Sequence, residues 1–332
     1  MSRTLLPLSL TATLMGGAAF ADVPQVAADI GPVHSLVARV MEGVGTPDLI
    51  MQQGASPHEY SLRPSEAQAL QDADLVFWVG ADLSPWLAGA IETLAGNAQA
   101  TELMEAAGTI VLESRDNALF EKHGHADEGG HEDSDHHDHD DHAEDAHDHD
   151  DHAEEGHDDH AHSQWDPHAW LSPNNAMTWL NVIAGQLSAT DPDNAGAYFA
   201  NAAAGRAEIE ATVAEVNATL ETLRGGQFIV FHDAYQYFES AFDFPAAGAI
   251  SLSDASDPSP SRIAEIQARV ADEGIDCVLA EPQFNRGLVE TVLNGTQAQT
   301  GILDPLGSDL EPGPTLYPQL IRGMAATLAS CM

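Results

Sequence analysis

Four residues of this sequence carry side chains that together could bind a divalent metal ion. His58, His168 and His232 lie 110 and 64 residues apart, and Asp304 follows farther along the chain. Three imidazoles joined by a carboxylate, or by a water, form the tetrahedral ligand set that suits zinc. The spacings match no local zinc motif, so from the pattern alone each histidine could instead be structural.

Alternating strands and helices are predicted around these residues. The strands are expected at residues 25–30, 48–52, 74–79, 109–112, 227–231, 247–251, 277–280 and 300–303. Helical patterns occupy residues 33–42, 64–71, 85–94, 260–273 and 286–294. Strands separated by helices indicate βαβ units and parallel sheets. His34, in the first of these helices, is expected to be structural or to lie at the rim of the site.

The predicted strands fall into two groups of four, separated by a long helical region. That region begins with Ser172 as N-cap and Pro173 at the first helical position, and it breaks near Asp191. We therefore predict an α/β fold of two lobes, each with a roughly four-stranded parallel sheet flanked by helices. The lobes are expected at residues 22–172 and 191–332, joined by a rigid helix at residues 173–190. A single large doubly wound sheet is the alternative.

The candidate ligands follow predicted strands or lie beside the linking helix. His58 and Asp304 come just after the strands at 48–52 and 300–303, and His232 directly follows the strand at 227–231. Ligands of open parallel sheets bind outside the carboxyl ends of the strands. With two of the four candidates in each lobe, a cleft between the lobes is the predicted metal site.

Residues 123–162 form a segment of unusual composition, with 13 histidines and 17 acidic residues. Such a segment cannot bury apolar surface, so we predict a disordered surface loop that binds metal weakly; a tolerated insertion is the alternative. Its candidate ligands are His123, His125, His131, His136, His137, His139, His142, His147, His149, His152, His157, His160 and His162. The chain as a whole has a net charge of −42, which argues against a nucleic-acid partner and favours a cation.

The N-terminus and the two cysteines indicate an exported protein. Residues 1–21 have the pattern of a secretory signal peptide, with Arg3 before an apolar run and an Ala-Phe-Ala cleavage site. No later stretch is apolar for long enough to span a membrane. Cys277 and Cys331 are the only cysteines, and in an exported compartment we expect a disulfide, with two free thiols as the alternative.

Several stretches around the candidate ligands resemble one protein family. They are GASPHEYSLRPS at residues 54–65, DLVFWVG at 74–80, HAWLSP at 168–173, FHDAYQYFE at 231–239, CVLAEPQF at 277–284 and LDPLG at 303–307. With the histidine-rich segment, they make the sequence similar to the periplasmic zinc-binding proteins of high-affinity zinc ABC importers, within the metal-binding class of solute-binding proteins. The resemblance covers residues 22–331.

The resemblance implies one tightly bound zinc ion in the cleft between the lobes and a disulfide between the two cysteines. The implied ligands are His58, His168 and His232. Some zinc members carry a glutamate immediately before the first ligand, where this chain has Pro57, so Asp304 or a water must complete the shell, with Glu59 as a remoter option. Manganese and iron relatives carry a glutamate where His232 stands.

The function predicted from the sequence is capture of extracytoplasmic zinc and its delivery to the membrane permease of an ABC importer. The protein is expected to be a periplasmic monomer and not an enzyme, because no motif places a general base beside the histidines. Alternatives are a manganese or iron transporter protein of the same class, and a zinc buffer or adhesin without transport.

Overall fold

The computed structural model describes residues 23–115, 117, 120, 164–252, 258–284 and 286–332. The predicted signal peptide at residues 1–21 and the histidine-rich segment at 123–162 lie outside the described residues. None of the helices in the described part of the chain combines the length and apolar character needed to cross a bilayer.

The first lobe contains a four-stranded parallel sheet. Its strands are β1 (Val26–Ala28), β2 (Asp48–Leu49), β3 (Leu75–Trp78) and β4 (Gln99–Glu102), in the order β2-β1-β3-β4. Helices α1 (Gly31–Val40), α2 (Pro64–Asp72) and α3 (Pro85–Leu94) connect them. The central strands β1 and β3 are apolar and buried along their whole length, because helices cover both faces of a parallel sheet.

The prediction of a strand at residues 109–112 is wrong. The fourth strand is β4, a polar segment that pairs with β3 through its backbone. Residues 109–112 instead run to the other lobe and bind side chains there or on the linking helix. The Ile110 N–H donates to Asn175 Oδ1 (2.7 Å), and the Leu112 N–H donates to the hydroxyl of Tyr237 (3.0 Å).

The second lobe repeats this architecture. Its strands are β5 (Phe228–His232), β6 (Gly248–Ser251), β7 (Cys277–Ala280) and β8 (Gln299–Ile302), in the order β6-β5-β7-β8, again all parallel. Its helices are α6 (Gln236–Phe242), α7 (Pro260–Asp272), α8 (Arg286–Leu293) and α9 (Leu316–Cys331). The expectation of two lobes with four parallel strands each is confirmed.

Two long helices connect the sheets. Helix α4 spans Pro173–Thr190, as predicted, and the Ser172 hydroxyl accepts a hydrogen bond from the Asn175 N–H at its N-terminus. Helix α5 (Ala195–Glu221) follows and packs against α4, α1 and α9. The sequence analysis did not predict α9, which ends the chain. Its residue Cys331 forms the predicted disulfide with Cys277 of β7, with 5.8 Å between their Cα atoms.

Buried hydrogen bonds near the linking helix join the two lobes. The Trp170 indole N–H donates to the carbonyl of Pro305 (2.8 Å), and the Tyr317 hydroxyl donates to the carbonyl of Trp170 (2.9 Å). The Tyr317 N–H donates to the hydroxyl of Ser35 in α1 (2.9 Å). Since these contacts are buried and short, they hold the lobes in a fixed relation on one side of the cleft.

Candidate metal centre

Three histidines far apart in sequence meet between the lobes. The Nε2 atom of His168 lies 3.4 Å from that of His58 and 3.4 Å from that of His232. Candidate ligand atoms of all three residues lie within 4.8 Å of one another, and among the described residues this is the group of His, Cys, Asp or Glu side chains able to hold a metal ion. His168 and His232 are buried, and His58 is half-buried.

The separation of the nitrogen atoms suits zinc. A tetrahedral zinc ion with Zn–N bonds of about 2.0–2.1 Å holds its nitrogen ligands about 3.3–3.4 Å apart. The Nδ1 atoms of His168 and His232 face carboxylates and must carry a proton to donate to them. In the neutral rings Nε2 is then a lone-pair donor, so two lone pairs face each other across 3.4 Å. A cation between them replaces this repulsion with coordination.

Asp166 orients the ring of His168. Its Oδ1 atom accepts hydrogen bonds from His168 Nδ1 (2.7 Å) and from the His168 N–H (3.0 Å). The two residues lie in a turn just before the short 3-10 helix Ala169–Leu171. Burial raises the pKa of Asp166 to about 7, although the His168 N–H and the charge of Arg115 oppose this. The hydrogen bond from Nδ1 to the carboxylate fixes the tautomer of this buried imidazole.

Glu281 plays the same part for His232. His232 ends β5, and Glu281 follows the neighbouring strand β7, so parallel pairing brings them together at the carboxyl edge of the sheet. The distance from His232 Nδ1 to Glu281 Oε1 is 2.6 Å, and the Glu281 side chain is fully buried. Burial raises the pKa of Glu281, and His232 opposes the shift. Neither Asp166 nor Glu281 was predicted from the sequence.

His58 comes from a loop of the first lobe. Its N–H donates to the Ser56 hydroxyl (3.2 Å), which tightens the turn before it. The carbonyl of Pro57 accepts from the Trp86 indole (2.8 Å) and from the Ser84 hydroxyl (3.2 Å), both at the start of α3. The loop is thus held by its backbone and presents the most accessible of the three imidazoles.

The other sequence-predicted site residues are placed differently. Asp304 is not part of the group of three: its carboxylate accepts hydrogen bonds from the backbone N–H groups of Leu306 (2.9 Å), Gly307 (3.0 Å) and Ser308 (2.5 Å). Glu59 is exposed. His34 is buried in α1 with its Nε2 3.1 Å from the carbonyl of Pro47, which fits the structural role expected for it.

The three histidines border two cavities of different size. The larger, of about 160 Å³, is also lined by the acidic residues Asp82, Asp166 and Asp233 and by Arg115. The smaller, of about 10 Å³, is closed by Pro57, Trp170, Gln283, Pro305 and Leu306. The acidic lining of the larger cavity is a favourable environment for an approaching cation.

A buried ion pair crosses from the first lobe to the second beside the histidines. Arg115 donates to Asp233 Oδ1 (2.7 Å) and to Glu239 Oε2 (2.7 Å), and its guanidinium lies 3.8 Å from the centre of the Phe120 ring. The exposed fractions of the three charged side chains are 20%, 6% and 3%. Asp233 directly follows His232, so this pair also anchors the chain next to that histidine.

The chain matches known proteins over nearly its full length. Residues 26–331 match the family model described as zinc-uptake complex component A, periplasmic. The high-affinity zinc uptake system protein ZnuA of Brucella abortus (strain 2308) is 46% identical over 307 residues, which cover 92% of this chain and 91% of the relative. The protein of the same name from Paracoccus denitrificans (strain Pd 1222) is 46% identical over 331 residues, 98% of each chain.

A solved structure described as the crystal structure of ZnuA has the same fold. Its TM-score is 0.70 at 20% sequence identity, and the match covers 93% of this chain and 99% of that one. The family match, the relatives and the three converging histidines agree with the resemblance found in the sequence. The chain belongs to the family of periplasmic A components of zinc-uptake complexes.

Proposed function

We propose that this protein captures Zn²⁺ in the periplasm with high affinity and delivers it to the membrane permease of an ABC importer. The observation that carries the proposal is the set of three imidazoles, in which His168 Nε2 lies 3.4 Å from the Nε2 atoms of His58 and His232, the separation that a tetrahedral zinc ion requires. Membership in the zinc-uptake family supports it, as do the names of the relatives.

A zinc titration tests the proposal directly. The metal-free protein is titrated with zinc in competition with a chromogenic chelator, and one tight equivalent is expected. His168→Ala removes one of three nitrogen ligands and should weaken binding by more than the roughly 10–100-fold that losing an outer-shell partner costs. The matched control is His34→Gln, a histidine outside the group. Equal zinc affinity in His168→Ala and the wild type would exclude this site.

The fourth ligand remains either Asp304 or a water. Asp304 already accepts three backbone hydrogen bonds, which occupy both of its oxygen atoms. To coordinate zinc it would have to exchange some of these for the ion, so a water is the better candidate. An Asp304→Asn variant keeps one acceptor oxygen in the turn and distinguishes the two candidate ligands. Zinc affinity should change little if a water is the fourth ligand, and it should fall if Asp304 is.

The histidine-rich segment at residues 123–162 is proposed to collect zinc weakly near the tight site. Tethering raises the local zinc concentration without adding a contact at the three histidines. Deleting residues 124–161 should remove several weak sites and slow uptake under zinc scarcity, while one tight site persists. Normal growth of the deletion strain in chelated medium would leave the segment as a tolerated insertion.

The alternative functions predict different properties for the same site. A manganese transporter protein would prefer oxygen ligands, whereas the three converging side chains here offer nitrogen. A zinc buffer or adhesin would act without the permease, so dependence of zinc uptake on the permease separates it from the importer. Zinc-loaded protein is also expected to lack esterase and hydratase activity, in contrast to a three-histidine zinc enzyme.

A further inference from the structure

The side-chain amide of Gln283, beside the three histidines, has no part in the proposed function as described so far. Gln283 lies two residues after Glu281, and its Nε2 donates to Glu281 Oε2 at 3.0 Å. Its carbonyl oxygen Oε1 is buried and has no hydrogen-bond partner among the described residues. The amide cannot be turned round, because Oε1 would then face the carboxylate of Glu281. Buried acceptors are nearly always satisfied in folded proteins, so a ligand for this oxygen is expected.

Gln283 lines the smaller of the two cavities at the metal centre. The cavity has a volume of about 10 Å³, which is room for a single water-sized species. Apart from Gln283 and the three histidines, its lining comes from Pro57, Trp170, Pro305 and Leu306, whose side chains are apolar except for the indole N–H. That N–H already donates to the carbonyl of Pro305. Gln283 is therefore the side chain left to bind a polar species there.

We propose that Gln283 Oε1 accepts a hydrogen bond from the water that takes the fourth position at the bound zinc. Nitrogen atoms 3.4 Å apart leave space between them for an ion but not for a water, so the adjoining cavity receives the fourth ligand. Glu281 then organises both sides of the centre: one oxygen holds His232 and the other holds the amide of Gln283. This inference rests on the proposed zinc site.

The test replaces the amide with an apolar side chain of similar size, which removes Oε1 together with the Nε2 donor to Glu281. Gln283→Met should raise the zinc dissociation constant about tenfold, the lower range for loss of an outer-shell partner. It should also change the visible spectrum of the cobalt(II)-loaded protein, which reports the geometry and ligands of the metal. The thermal midpoint of the metal-free variant should fall, because Glu281 Oε2 loses the Nε2 donor, so the cobalt spectrum and not the stability reports the loss of Oε1. In Gln283→Glu the two carboxyl groups at residues 281 and 283 share one proton, which replaces the Nε2 donor and leaves an oxygen to accept from the water, so this variant should recover most of the affinity.

Two control variants make the result specific. Gln53→Met removes another glutamine near the cleft, whose Nε2 donates to the carbonyl of Gly307 on the other lobe but which does not line the cavity. It should leave the cobalt spectrum unchanged. Asp304→Asn tests Asp304 as the competing fourth ligand, and it should also leave the cobalt spectrum unchanged.

Three outcomes overturn the inference. The first is a Gln283→Met variant with wild-type zinc affinity and cobalt spectrum. The second is a Gln283→Met variant that binds zinc more weakly with an unchanged cobalt spectrum, which would assign the loss to the missing donor to Glu281. The third is a spectrum altered by Asp304→Asn instead. Failure of the proposed function is distinct, since wild-type protein would then bind no zinc tightly.

Discussion

Replacing Arg115 with alanine should destabilise the protein by leaving two buried carboxylates without a partner. Arg115 is one-fifth exposed, while Asp233 and Glu239 are almost fully buried. Breaking a buried ion pair by removing one partner costs about 3–5 kcal/mol, and the partial exposure of Arg115 places this case near 3 kcal/mol. For a chain of 332 residues, with an unfolding entropy of about 2.1 cal/mol/K per residue, the corresponding fall in the thermal midpoint is about 4 °C.

The loss should depend on pH in a defined direction. Burial raises the pKa of Asp233 to about 6, against the opposing charge of Arg115. A pKa that is higher in the folded state than in the unfolded state contributes stability at low pH, and this contribution is lost as pH rises through about 6. Without Arg115 that pKa rises further, so the ionised carboxylate becomes more costly to bury. Arg115→Ala should therefore lose more stability at pH 8 than at pH 5.

The assay is thermal unfolding of the metal-free protein at both pH values. The matched control is Arg322→Ala, because Arg322 pairs with Glu215 on the surface and such pairs contribute at most about 1 kcal/mol. Adding Asp233→Asn and Glu239→Gln to Arg115→Ala should recover most of the loss, since neutral side chains then replace the unpaired charges. A loss that is equal at pH 5 and pH 8, or no larger than that of the control, would refute the reasoning.

Three further predictions concern the metal and the disulfide. His232→Glu should weaken zinc binding at least tenfold and improve binding of manganese, because a carboxylate suits the harder ion; unchanged zinc affinity would refute the ligand assignment. Zinc affinity should fall as the pH is lowered, because imidazoles must be neutral to coordinate. The pKa of Asp166, raised to about 7 by burial, adds to this loss in the same direction, since its protonation weakens the anchor of His168, and a zinc dissociation constant that is flat from pH 8 to 5.5 would contradict both arguments. Replacing Cys277 and Cys331 by alanine should lower the free energy of unfolding by about 4 kcal/mol, measured by denaturant titration. Zinc affinity should stay unchanged, because Cys277 begins β7 whereas Glu281 follows its end.

The fold could be predicted wherever burial leaves a pattern in the sequence. The central strands β1, β3, β5 and β7 are apolar runs bounded by polar residues, and all four were found. The edge strand β4 reads Gln-Ala-Thr-Glu and was missed, because its pairing uses the backbone and its side chains are largely exposed. The apolar segment at residues 109–112 was mistaken for it, although Ile110 and Val111 are 45% and 39% exposed.

The metal centre was predictable only in part for a similar reason. Once the acidic segment is set aside, four histidines remain, and three of them meet in the structure. Asp166 and Glu281 could not be recognised among 53 acidic residues, since what distinguishes them is position in the fold. Glu281 is 49 residues from His232 in sequence and becomes its neighbour only through the pairing of β5 with β7.

The buried hydrogen bonds that join the lobes determine how the bound ion can leave. Prising the lobes apart as rigid bodies would break the contacts of Trp170 with Pro305 and of Tyr317 with Trp170 and Ser35. The loop that carries His58 is held to α3 by hydrogen bonds to the Pro57 carbonyl, and its imidazole is the most accessible of the three. Unloading is therefore expected to begin with withdrawal of this one ring, after which two nitrogens hold the ion far less tightly. We therefore expect a receiving transporter to displace this single short loop without separating the two lobes.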